Sequence, residues 1–260
     1  MLTTNWVLIA ITLALFAGMY LLELFGYRRG RVRAANTPKD VHEGLGVVEG
    51  AVFALLGLML TFLFSGAADR LGDRRATAIR EANAIGTAYL RLDLLPRNDS
   101  QRLREKFRSY LQARLLTVEQ RLDFETSERA SRDAERLQRS IWTDAVAVVQ
   151  VIPDREVEQI MVQSLNDMID VAAERNTIAQ THAALPVQVF LVFLALVGAA
   201  LAGFSMSRSP YLPTLHMVLF AAVISTTIYC ILDMEYPRLG FIRIGAADQP
   251  MIELLDSMNP

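Results

Sequence analysis

An all-α membrane protein is the fold class that this sequence predicts, with four transmembrane helices, two N-terminal and two C-terminal. A helical domain extends from the second and third. Three observations carry the prediction. The chain is 52% hydrophobic with a mean hydropathy of +0.27, more apolar than a soluble domain needs. The excess sits in four blocks, residues 6–25, 45–64, 185–204 and 215–232, each close to the ~20 residues that a helix needs to cross a ~30 Å hydrocarbon core. From Asp69 to Thr181 the composition turns to balanced charge, with 18 basic and 19 acidic residues. The predicted organisation is helices 1 and 2 with a short basic loop over residues 1–66, a charged helical domain over 67–184, helices 3 and 4 over 185–232, and an interfacial tail over 233–260.

Block one is broken only by Thr12 and Glu23. Its arginines, Arg28, Arg29, Arg31 and Arg33, follow the apolar stretch rather than precede it, the reverse of a signal peptide, so a retained helix is expected. With Lys39 they give the first loop five basic residues. Positive loops stay on the cytoplasmic side, which puts the N-terminus, the middle domain and the C-terminal tail outside. Arg70, Arg74, Arg75 and Arg80 after block two pull the other way. Backbone groups find no water in hydrocarbon, so runs this long must be helical. Trp6, Tyr20, Tyr27, Tyr211 and Tyr236 stand near the block ends, where amphipathic rings prefer the interface.

In the middle domain glycine is absent after Gly86, and Pro96 and Pro153 are the interruptions. Helix two is expected to run on without a break and to stop at Pro96, because proline removes a backbone donor. Asn98, Asp99 and Ser100 offer a cap for a helix with Leu103, Phe107, Tyr110, Leu111 and Leu115 on one face. Ile141, Trp142, Val146 and Val149 mark another. After Pro153-Asp154 a further helix, with Ile160, Met161, Leu165 and Met168, leads to block three. These stripes read as packing faces of a bundle.

No enzyme signature is present: there is no G-x-S-x-G, H-E-x-x-H, P-loop or C-x-x-C. The expectation is a non-enzyme without cofactor or metal. A site from His42, Glu43 and His216 is conceivable, against the plainer reading of unrelated interfacial histidines. The net charge of −2 gives no basic surplus for nucleic acid, and the single cysteine, Cys230, permits no disulfide framework.

Block two carries the chemistry of interest. Gly46 and Gly50 form a G-x-x-x-G spacing, with Gly57 following on the same face, and such glycines let helix backbones approach closely. Glu49 lies inside an apolar run, where a carboxylate is either functional or paired with an arginine of the first loop; both readings stand. Leu56, Leu60 and Phe64 recur at spacing four. Around a symmetry axis such residues would form an apolar constriction; in a lone subunit they would be a packing or lipid-facing stripe.

The stretch EGAVFALLGLMLTFLFSGAADRLGDRRATAIREANAIGTAYLRLDLLP, residues 49–96, resembles the bestrophin-like family of bacterial membrane proteins. Asp69, Arg70, Glu81, Asn83, Arg91 and Pro96 fall in its matching elements. In the tail LDMEYPRLGFIRI, residues 232–244, Asp233, Pro237, Arg238 and Gly240 match the family's short motif after the last helix. The resemblance covers the whole chain in layout and these two segments in detail. The family is distantly similar to the bestrophins, pentameric anion channels whose second helix lines the pore. That likeness implies a homo-oligomer in a bacterial inner membrane, with inorganic ions, the bilayer and further copies of itself as partners. It implies Leu56, Leu60 and Phe64 as a pore neck and Glu49 as a pore-mouth residue. Two departures stand out. No acidic cluster follows block four to match the calcium clasp of animal bestrophins, and Glu49 would disfavour anions. The likeness also implies a cytoplasmic middle domain, opposite to the charge count. The rival expectation is a non-conducting membrane scaffold or sensor whose helical domain binds a partner. The tail through Ile244 is expected to be ordered and the polar run beyond Gly245 looser.

Overall fold

The computed structural model describes residues 5–36, 43–119, 124–209, 211–237, 241–242 and 245–258. Among them there are eight α-helices and no strand: α1 (Asn5–Asn36), α2 (Glu43–Arg91), α3 (Arg97–Glu119), α4 (Phe124–Val149), α5 (Arg155–Gln180), α6 (Leu185–Met206), α7 (Thr214–Glu235) and α8 (Gly245–Ser257). Four segments are long and apolar enough to cross a membrane, in the order that the sequence predicts. The chain forms two compact units.

Unit 1 comprises residues 1–72 and 182–243. It holds α1, the first part of α2, α6 and α7. Its tightest seam joins α1 to α6, and glycine makes it. A Cβ on Gly26 would collide with the Ala200 carbonyl and lie 2.9 Å from the Phe204 nitrogen. One on Gly203 would collide with the Glu23 main chain, and one on Gly30 with the Ser207 side chain. Small residues allow backbones in a membrane to pack this closely. The arginines read above as a loop belong to α1, which runs on to Asn36; Arg31 lies over the Tyr27 ring, 5.8 Å from its centroid.

Unit 2 comprises residues 73–181 and 244–260. The second half of α2 enters it and ends in a 3₁₀ turn, Leu92–Leu94, before Pro96. The carbonyl of Pro96 accepts the Ser100 N–H at 2.9 Å, so α3 starts at Arg97, ahead of its expected cap, and Asp99 becomes a first-turn acid. Asp154 caps α5, accepting from the Glu156 and Val157 N–H groups at 2.9 and 3.3 Å. The core joins Ile85, Leu92, Phe107, Tyr110, Leu111, Ile141, Met161, Leu165 and Met168, all fully buried. The run beyond Gly245 is not loose. It forms α8, which buries Met251 in this core, and the Met258 carbonyl accepts from the Arg108 guanidinium.

Candidate functional site

Long α2 has a packed side and a bare side. Residues four apart on a helix of 3.6 residues per turn drift by about 40° per step, so the predicted stripe fans across the two. Leu56 is 2% exposed and lies 3.4 Å from where a Cβ on Gly198 of α6 would sit. Leu60 is half-buried, and Phe64 is 45% exposed. On the packed side Phe53 meets Phe220 of α7 edge-on at 6.0 Å.

The bare side is continuous. Gly50, Ala54, Gly57, Thr61, Ser65, Ala68, Gly72 and Ala76 are all exposed. Their 4-3-4 spacing is an 11-residue repeat, close to 3.67 residues per turn, which keeps such residues on one side of a helix. Among the described residues, nothing lies within 4 Å of a Cβ built on Gly46, Gly50, Gly57 or Gly72. Phe64 borders this stripe, and Arg75, eleven residues further on, is exposed on the same side. Glu49 is half-buried, and no described residue forms an ion pair with it. The first-loop arginines Arg28, Arg29, Arg31 and Arg33 are described, and none of them is ion-paired with Glu49; Lys39 and His42, the latter a member of the His42, Glu43 and His216 trio, lie outside the described residues.

Where α2 leaves the apolar run, carboxylates of α7 tie unit 1 together. Glu235, 1% exposed, accepts from Arg70 Nε and Nη2 at 3.0 and 2.7 Å and from the Ala183 N–H. His182 Nδ1 stands 3.6 Å from it, with its ring stacked 4.8 Å from that of Tyr236. Asp233 accepts from the Phe241 and Ile242 N–H groups at 3.0 and 3.2 Å, which turns the chain back after α7. Pro237 is buried at that turn; Arg238 and Gly240 lie outside the described residues. Thus Arg70 and Asp233 serve as anchors, and Glu235, which motif reading passed over, is the shared acceptor.

In unit 2, Glu81 is fully buried. Its two oxygens accept from Arg114 Nε and Arg175 Nη1, each at 2.6 Å. Arg175 also reaches Asp248 of α8 at 2.5 Å, and Arg114 reaches Asn176 at 3.2 Å. Two carboxylates and two guanidiniums make a neutral set, which is how buried charge becomes tolerable. Burial works against the Arg114 charge, but Glu81 and Tyr110 outweigh it and hold the guanidinium above its ordinary range. Burial likewise pushes the neighbouring Tyr110 phenol up. Asp69 and Asn83 are exposed, Arg91 donates to the Ile160 carbonyl at 2.9 Å, and Pro96 ends the 3₁₀ turn. Glu23 of α1 is fully buried, and neither of its oxygens has a hydrogen-bond partner among the described residues. Among the described residues no three metal-ligating side chains converge.

The model of the bestrophin-like domain matches residues 7–248. The chain belongs to the bestrophin-like family. Two crystal structures of a bacterial bestrophin homologue from Klebsiella pneumoniae, each with one aromatic residue changed to alanine, share the fold at TM-scores of 0.68 and 0.70. The identity is 14% in both, over 92% and 95% of this chain and 97% of that one. No curated protein matches the sequence. Family membership agrees with the resemblance read from residues 49–96 and 232–244, and the shared fold agrees with the four-helix membrane layout.

Proposed function

We propose that this bestrophin-like chain is one subunit of a homo-oligomeric ion channel, a pentamer, in a bacterial inner membrane, with α2 of each copy around the axis. The observation that carries this reading is the bare face of α2. A spanning helix that leaves a stripe of glycine, alanine, serine and threonine uncovered over several turns has room for other copies of itself and polar groups for a water-filled path. Phe64 at the border of that stripe is the proposed constriction, an apolar ring that gates by dewetting. Half-buried Leu60 backs it, and Leu56 belongs to the wall behind. Gly46, Gly50 and Gly57 are proposed contacts between copies.

The proposed permeant ion is an anion. Exposed Arg75 stands three turns beyond Phe64 on the same side of α2, where a ring of guanidiniums would concentrate anions. Glu49 at the other end acts against this and sets how strong the preference is. For the side of the membrane we propose an extracytoplasmic unit 2, following the arginines at the end of α1.

Purified protein in a planar bilayer under a KCl gradient tests the function. The expected result is a unitary current reversing near the chloride potential. Phe64→Ala should enlarge it, and Arg75→Glu should move the reversal towards the potassium potential. Absence of current in the wild type, Phe64→Ala and Leu60→Ala alike would remove the channel reading.

A further inference from the structure

We propose that unit 1 holds one acyl chain of a bilayer phospholipid in a groove between its spanning helices. The groove is a cavity of about 400 Å³, within the size range of small-ligand sites. Leu8 and Ile11 of α1, Leu63 of α2, Leu191 of α6 and Ile228 of α7 wall it. Its polar lining residues are Gln188 and Tyr236, and the Gln188 amide is already engaged by the Ala183 carbonyl at 2.9 Å.

This lining decides the class of ligand. A charged or strongly polar guest would lose its hydration and find almost no hydrogen bonds in return. Hydrocarbon loses nothing there. The groove opens into the surface that the spanning helices turn to the bilayer: Val7, Ile11, Leu185 and Val189 on its rim are 53, 49, 69 and 59% exposed. It is therefore continuous with the lipid-facing surface, and bilayer lipid is the molecule that meets it first.

Its position along the helices fixes the polarity of the guest. Leu185 and Gln188 are in the first turn of α6, Val7 is in the first turn of α1, and Tyr236 directly follows the last turn of α7. These residues mark the interfacial end, where a tyrosine ring is at home beside lipid headgroups. From there the walls run inward to Leu191 and Ile228. A phospholipid would lay one chain along this path and leave its ester and headgroup at the level of Tyr236.

The test is native mass spectrometry of the full chain, reconstituted with phosphatidylglycerol and phosphatidylethanolamine, then extracted and washed in mild detergent. The wild type should retain about one phospholipid per chain. Val189→Trp and Ile11→Trp, which plug the mouth, should lower retention about tenfold, while Leu219→Trp, at an exposed position of α7 outside the groove lining, should leave it unchanged. If a tryptophan variant fails to fold, Val189→Phe replaces it and must lower retention as well. A wild type that retains no lipid overturns the proposal, and so does equal retention in plugged and control variants. Cross-linking of Ile11→Cys between copies would show that a second subunit fills the groove, and would overturn it too.

Discussion

Glycines in the two halves of the membrane unit have opposite surroundings. On α1 and α6, Gly26, Gly30 and Gly203 face backbone or side chain at distances that no larger residue could accept. On α2, Gly46, Gly50 and Gly57 face nothing among the described residues. The residue type and its spacing are the same, because Gly26 and Gly30 also stand four apart. What differs is that the first seam is closed inside the chain and the second is left open. A small residue in a spanning helix is thus a licence for close approach, and the rest of the chain determines whether the approaching partner is internal.

Breaking the closed seam should give the largest effect. Gly203→Leu forces a side chain into the Glu23 main chain, so the expected cost exceeds about 3 kcal/mol, and size-exclusion profiles in detergent should lose the monodisperse peak. Next comes the buried charge set of unit 2. Arg175→Ala leaves Glu81 and Asp248 each short of a partner, and removing one member of a buried pair costs ~3–5 kcal/mol. Thermal unfolding should show that loss, and a melting point equal to the wild type would mean that the set is not closed in solution.

A smaller effect is expected from pH. Burial raises the Tyr110 phenol above its unfolded value of about 10, so the folded state holds that proton more tightly. The stabilisation is complete below about pH 10 and is lost as pH climbs through the raised folded value. Tyr110→Phe should flatten the alkaline fall in stability, and an unchanged slope would locate it elsewhere. Smallest on the subunit itself is Gly57→Ala. A methyl group there meets no described residue within 4 Å, so subunit stability should move by no more than about 0.5 kcal/mol. Its effect should appear instead in the assembly, as a shift in oligomer mass by light scattering.

The same contrast explains what could be read from the chain beforehand. Four apolar runs of spanning length and the helix break at Pro153-Asp154 are local signals, and they were legible. Gly26 and Gly30 were present at the right spacing, but they sit beside the arginines that end block one and look like loop. Glu81 stood out in its motif, while its partners Arg114, Arg175 and Asp248 lie on three other helices and no local pattern joins them. Helix α8 was unreadable for a related reason. It is 13 residues long with Pro250 inside, and its order comes from Asp248 and Met251 docking into a core assembled elsewhere. The bare face of α2 was half visible: spacing four in Leu56, Leu60 and Phe64 is a drifting row, and only the neighbours of α2 show where it turns from packed to bare.

Thiol modification along α2 tests that division most directly. In a Cys230→Ser background, single cysteines at Thr61, Ser65 and Ala68 are compared with single cysteines at Leu63 and Ala67, while current is recorded in a planar bilayer. A water-soluble charged methanethiosulfonate should block or alter the current at the first three positions and leave the last two unmodified. Modification at Leu63 and Ala67 with none at Thr61, Ser65 and Ala68 would contradict the account, because the water-filled path would then run along the side of α2 that is packed here.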